Sequence, residues 1–366
     1  MSNIAKQLEW VNIAKGIAIC AVVLWHIDFV IPEIQILPLR SVLGATWHVP
    51  VFFLISGFFI KEEKLKNPQF FVRTKMSKLY VQLLCYYIPL TLLHNAFIDW
   101  GWYDITTDYH GKMMTYWGGQ QFMAKLIMAF AFAGTEPIMG AMWFVYVLLL
   151  AFIGYSFISY IISKVVSDKY YELCRATVLL CLCVISCTLT QIFAITIPRG
   201  NNTITAIWLI YCGYVLRNIL KIEFTNAFIV IISFLLLYHL SMINGCIHLN
   251  DNHYNDITVL TVSSVAALYI ICYLCKRLET QWIGRVLSKC GKDSFHIMAL
   301  HFIGFKLGIT IINLLGGDIN IASLKPDVGT NYFLVIYLFL FSILFSLSFI
   351  HIFREVKSAI YNKWYE

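Results

Sequence analysis

Apolar runs of about 18 to 22 residues follow one another along the whole chain, separated by short polar stretches and never by a polar block the size of a domain. Each run is long enough to cross bilayer hydrocarbon as an α-helix, so the pattern predicts an all-α polytopic fold. About ten transmembrane helices fit, in one integral membrane domain over residues 1–366 with no fused soluble module. One apolar stretch, from about Gln120 to Ala133, is too short to cross. It reads as a re-entrant or interfacial segment near 120–141, inside a long outer loop from Asp99 to Ala141. The first run, at about residues 11 to 30, is followed at once by others and lacks a small-residue cleavage site, which marks an anchor helix and not a removable signal peptide.

Of the 366 residues, 60% are hydrophobic and 13% charged, with a mean hydropathy of +0.74. Soluble domains carry about 25% charged residues, so composition excludes that class. Where the charges fall predicts the topology, because Lys and Arg near span ends stay on the cytoplasmic side. The densest basic loop is KEEKLKNPQFFVRTKMSK at 61–78; with Lys6 and Lys15 it places the N-terminus inside. Further basic connections at Lys164 to Arg175, Arg217 to Lys221, Lys276 to Lys292 and the tail from Arg354 alternate with basic-poor ones and put both termini in the cytoplasm. The net charge of +7 is this sidedness signal and implies no nucleic-acid partner.

Ionisable groups inside the apolar runs carry the chemistry, since such groups at membrane depth face other helices, a ligand or water. Lys15 and His26 stand eleven residues apart in the first run. On a straight helix that is about 16 Å and close to whole turns, so the two share a face, with Asn12 near the same stripe. Lys15 is either a ligand-facing group or a snorkelling one. His48 and Trp47 start the second run, where Ser56 and Gly57 suit close helix packing. Ser294 and His301, seven residues apart, share a face of a late run, and Glu136 lies in the long outer loop. The aromatic loop DWGWYDITTDYHGKMMTYWGG is an interfacial belt or a sugar-binding surface.

Most of the eleven cysteines lie within apolar runs, as small hydrophobes, and suggest neither disulfides nor a metal site. GKDS at 291–294 lacks the glycine and spacing of a phosphate loop, Ser56 is not in a GxSxG elbow, and HExxH does not occur, so no metal is expected.

Five segments, in order along about 300 residues, resemble the acyltransferase-3 family of integral membrane acyltransferases. They are LEWVNIAKGIAICAVVLWH with its basic-Gly…His signature, WHVPVFFLISGFF at 47–59, FVRTKMSKLY at 71–80, GAMWFVYVLLL at 140–150 led by Trp143, and GKDSFHIMALH at 291–301. The resemblance implies transfer of an acyl group, usually acetyl, from cytoplasmic acyl-CoA to a glycan or lipid-linked sugar hydroxyl across the membrane. Acetyl-CoA is then the donor substrate, in a multi-pass protein of the bacterial cytoplasmic membrane, surrounded by membrane lipids. The polyanionic CoA head group needs cations at the inner face, and Arg73, Lys75, Lys78 and Lys15 offer them. His26 then acts either as general base toward the acceptor hydroxyl or as an acyl carrier. Lys15 and Glu136 assist it, and Asn12, His48, Ser56, Trp143, Ser294 and His301 form the acceptor side or support it. Three departures stand out: Asn12 replaces an acid usual in the family, Lys15 before Gly16 stands where arginine is common, and Lys75-x-x-Lys78, with Arg73 two residues before, replaces a pair of arginines, without their planar forks. The competing class is a transporter or exporter of a glycan or acylated small molecule, with His26 in a proton relay; it would neither bind nor consume acyl-CoA.

Overall fold

The computed structural model describes residues 9–31, 39–106, 114–133, 136–197, 199–252, 254 and 256–365. Lys6 and residues 107–113 of the aromatic loop lie outside them. Helices make up 78% of the chain and the described residues include no strand, so the class is all-α.

Among the described residues, six helices are long and apolar enough to cross a membrane: Ser41–Phe58, Pro137–Val165, Asp168–Gln191, Ile257–Leu278, Ser294–Leu314 and Tyr332–Ser358. These make the chain an integral membrane protein. The other runs that the pattern reads as spans are helical but short or broken. Glu9–Trp25 has 17 residues and Gly200–Tyr214 has 15. Val81–Leu92 contains Pro89 and stops two residues before His94–Asp99 begins, while Ala227–Ile243 is apolar but short. Gly119–Phe130, in the segment expected not to cross, is a 12-residue helix. At 1.5 Å per residue it reaches about 18 Å, well short of the ~30 Å of hydrocarbon.

The described chain packs as two compact units interleaved in sequence, one from residues up to 11, 33–85 and 143–281, the other from 12–32, 86–142 and 282–366. In the first, the helices His48–Phe58 and Gly200–Tyr214 touch backbone to backbone. A Cβ on Gly57 would lie 2.0 Å from the Ile210 carbonyl oxygen, and one on Gly213 would lie 1.9 Å from that of Leu54. Only glycine permits this approach, the small-residue logic of membrane helix pairs. The first unit also buries a charge. Arg175, expected in a basic inner connection, lies in the second turn of Asp168–Gln191 with its side chain fully buried.

In the second unit, Ser294–Leu314 packs along Tyr332–Tyr365, and Gly304 lies against the Ser342 backbone. The buried Lys306 ammonium donates to the carbonyls of Trp102 (2.9 Å), Ala322 (3.2 Å), Ser323 (2.9 Å) and Ile321, tying residues 321–323 and 102 to one point. The first helix departs from the expectation of one straight span to about residue 30. It ends at Trp25, because residues 28–30 pair with 326–329 instead of continuing the helix. Asp28 N–H donates to Pro326 O (2.8 Å), Val328 N–H to Asp28 O (2.9 Å) and Val30 N–H to Gly329 O (2.9 Å).

Candidate active site

The break after Trp25 sets the position of His26. It sits in the turn that closes the first helix, its N–H donating to Val23 O (3.2 Å) and its ring Nδ1 lying 2.8 Å from Val22 O. A carbonyl oxygen only accepts, so Nδ1 carries a hydrogen, and in the neutral ring the basic nitrogen is Nε2. Helix ends leave their last carbonyls without backbone donors, and the imidazole satisfies one of them.

His301 has the same tautomer by a different route. Two turns into Ser294–Leu314, its Nδ1 lies 3.1 Å from Ile297 O and 2.9 Å from Met298 O, both on the preceding turn. Its Nε2 is buried and has no hydrogen-bond partner among the described residues. An unpaired buried acceptor costs about 1–3 kcal/mol, and a catalytic role is one of the reasons such a group is kept. The His26 and His301 ring centroids are 4.9 Å apart, and Phe302 flanks both, at 4.9 Å and 4.3 Å. The two imidazoles, half-buried at His26 and buried at His301, pack against one another and against Phe302. Such a pair is equipped to accept a proton from a hydroxyl group.

Other expected site residues have different neighbours. The Glu136 carboxylate is buried, with Oε1 bonded to His94 Nδ1 (2.7 Å) and Oε2 accepting from the Tyr103 hydroxyl (2.9 Å). The second nitrogen of His94 donates to Thr115 O (3.0 Å), and Trp117 stacks flat on the ring at 3.5 Å. Tyr103 in turn accepts from Ile138 N–H (3.2 Å). Lys15 and Asn12 are half-buried on the first helix, and Ser294 opens the His301 helix.

In the first unit, the basic segment runs through the helix Pro68–Lys75 and the wide turn Met76–Tyr80. Arg73 and Lys78 are exposed, whereas the Lys75 ammonium lies 3.5 Å above the Phe152 ring. His48 Nδ1 is 2.6 Å from Gly44 O, and the Ser56 hydroxyl donates to Phe52 O (2.7 Å), so both close onto their own segments. Trp143 opens the helix Trp143–Val165, with the Arg199 guanidinium 5.7 Å over its ring. All eleven cysteines are free thiols. Among the described residues no group of three or more His, Cys, Asp or Glu is arranged to hold a metal ion.

Sequence reasoning missed two clusters. His94 and Tyr103 give no local signal, because their partner Glu136 lies 42 and 33 residues away. Around Arg175, Nη1 donates to both Glu62 oxygens (3.1 and 3.0 Å) and to Tyr171 (3.0 Å), Nη2 donates to Glu172, and the Tyr214 and Tyr171 rings stand 4.6 and 4.7 Å from the guanidinium.

A family model described as an acyltransferase domain matches residues 8–353, nearly the whole chain. No curated protein and no solved structure gives a match.

Proposed function

This chain belongs to the acyltransferase family whose model spans it, and from that premise we propose that it moves an acetyl group from cytoplasmic acetyl-CoA to a hydroxyl of an extracytoplasmic or lipid-linked glycan. The setting in this reading is the bacterial cytoplasmic membrane, with both termini inside. The observation that carries it is the pair of imidazoles at His26 and His301, each fixed by a carbonyl at Nδ1 so that Nε2 is the basic atom.

In the proposed reaction the acceptor hydroxyl bonds to His26 Nε2 while its oxygen attacks the thioester carbonyl. The imidazole takes the proton, the new C–O ester bond forms, and the C–S bond breaks. The CoA thiolate leaves and receives that proton, giving free CoA and an O-acetylated sugar. General-base catalysis of this kind contributes about 100- to 10,000-fold. His301 Nε2, beside His26, receives a hydrogen bond from a second hydroxyl of the acceptor and orients it. Arg73 and Lys78, exposed on the basic segment, bind the CoA phosphates, with Lys75 and Lys15 adding charge.

The test compares purified wild type and His26→Ala, at matched folded yield, for release of free CoA from acetyl-CoA with and without a surface-glycan extract. Acceptor-stimulated release by wild type, lost in His26→Ala, supports the reading. Equal rates remove His26 from the chemistry, and absence of acetyl-CoA binding or consumption by wild type overturns the acyl-CoA reading.

A further inference from the structure

The 11-residue helix Trp282–Lys292 follows the span Ile257–Leu278 and precedes Ser294–Leu314. At about 16 Å it cannot cross the hydrocarbon. Its residues sort into three faces, except that Cys290, at the inner end of the apolar sector, is buried. Gly284, Ser288 and Gly291 are buried and fall within about 60° of one another on a 3.6-residue helix. This face packs on the first helix without side chains between the backbones: a Cβ on Gly291 would lie 1.7 Å from Asn12 O, and one on Gly16 would lie 2.0 Å from Leu287 O.

The two remaining faces are exposed. Trp282, Ile283 and Val286 are 66%, 40% and 52% exposed and fall within about 100° of one another. Arg285, Lys289 and Lys292, also exposed, fall within about 60° and begin about 20° beyond the apolar sector. An exposed Trp-Ile-Val stripe on a soluble surface would be an aggregation liability. Beside a basic stripe, on a helix joining two spans, it matches an in-plane interfacial helix, with apolar groups in the acyl-chain boundary and cations at the headgroup phosphates. No acidic side chain lies in Trp282–Lys292 to neutralise these cations internally.

We propose that this helix is a docking face for acidic lipid headgroups, held by Arg285 and Lys289 while Trp282, Ile283 and Val286 enter the bilayer boundary. Charge complementarity selects the occupant: each basic residue near the surface favours an anionic leaflet, and a zwitterionic one gives no such gain. Because the buried face rests on the Asn12 and Gly16 backbone, lipid bound here bears directly on the helix that carries Lys15.

The test reconstitutes the full chain in vesicles containing either brominated phosphatidylglycerol or brominated phosphatidylcholine, and isolates Trp282 fluorescence as the difference between wild type and Trp282→Phe. The expected result is about twofold or greater excess quenching by the acidic lipid, abolished in Arg285→Gln/Lys289→Gln and retained in Arg285→Lys/Lys289→Arg. Equal quenching by the two lipids in wild type overturns the headgroup preference. Absence of quenching by either shows the face covered by protein, such as a second copy, and overturns the docking assignment altogether. Lipid contact is read here without turnover, so it stands or falls separately from acyl transfer.

Discussion

The imidazoles of His26 and His301 face one another at 4.9 Å, and each has spent its Nδ1 hydrogen on a carbonyl of its own helix. The two reach this state differently: His26 caps a helix that ends at Trp25, and His301 bonds back into the middle of one that continues to Leu314. A sugar acceptor held between them could give the hydrogen of its attacking hydroxyl to His26 Nε2 and that of a neighbouring hydroxyl to His301 Nε2.

That arrangement predicts strong coupling. If both rings serve one acceptor molecule in one step, His26→Ala lowers the rate of CoA release by about 100- to 10,000-fold, and adding His301→Ala to it lowers the rate little further. Initial rates for the two single variants and the double variant check this. Losses that multiply would mean the rings act in separate steps.

For Glu136 the expected loss is of structure before chemistry. Both of its oxygens are engaged by His94 and Tyr103. Glu136→Ala leaves a buried His94 nitrogen and the Tyr103 hydroxyl without their partner, a cost on the order of 2 kcal/mol or more. Thermal unfolding in detergent should show a clearly lowered midpoint for Glu136→Ala, a smaller drop for Tyr103→Phe, and near-normal turnover in the folded fraction at low temperature. A Glu136→Ala protein of wild-type stability and no activity would assign the carboxylate to the reacting atoms.

What the sequence made legible follows from how each signal is built. The apolar runs, the close-packed Ser56–Gly57 helix and the Ser294–His301 face depend on spacing within one segment, and a periodic pattern exposes them. The end of the first helix at Trp25 depends on backbone pairing with residues 326–329, about 300 positions away, and nothing in the run itself announces it. Arg175 was expected at a span end because a lone basic residue there is ordinarily a topology charge. Its burial depends on Glu62, 113 residues distant, whose carboxylate makes an interior guanidinium tolerable.

The basic segment should divide by geometry. Arg73 and Lys78 are exposed, while the Lys75 ammonium is held over Phe152. Arg73→Gln and Lys78→Gln are each expected to raise the KM for acetyl-CoA about tenfold, the scale of one charge-assisted hydrogen bond, with kcat little changed. Lys75→Gln should have a smaller effect on KM and a measurable effect on stability, through the lost cation–π contact. KM measured at rising salt should increase for wild type and less so for Arg73→Gln/Lys78→Gln, because screening acts on the same charges. A flat salt response in wild type would remove the segment from CoA binding.

Around Arg175 the two sides of the ion pair are unequal, and that decides which substitution hurts. The guanidinium side chain is 0% exposed, whereas those of Glu62 and Glu172 are 34% and 42% exposed. Removing the cation leaves two carboxylates that can turn toward water; removing the carboxylates leaves a cation that cannot. Leaving a buried charge uncompensated costs about 3–5 kcal/mol, whereas replacing a whole buried ionic group with apolar atoms of similar volume is often close to neutral. The Glu62→Gln/Glu172→Gln protein should therefore be the least stable, with Arg175→Met milder because its side chain still fills the space among Tyr155, Tyr171, Tyr211 and Tyr214. Adding Arg175→Met to the double glutamine variant should restore part of the lost stability, since it withdraws the charge that had become unpaired. Thermal midpoints of these three variants and wild type in one detergent decide it. An Arg175→Met protein less stable than the double glutamine variant would show that the tyrosine contacts, and not charge compensation, hold this core together.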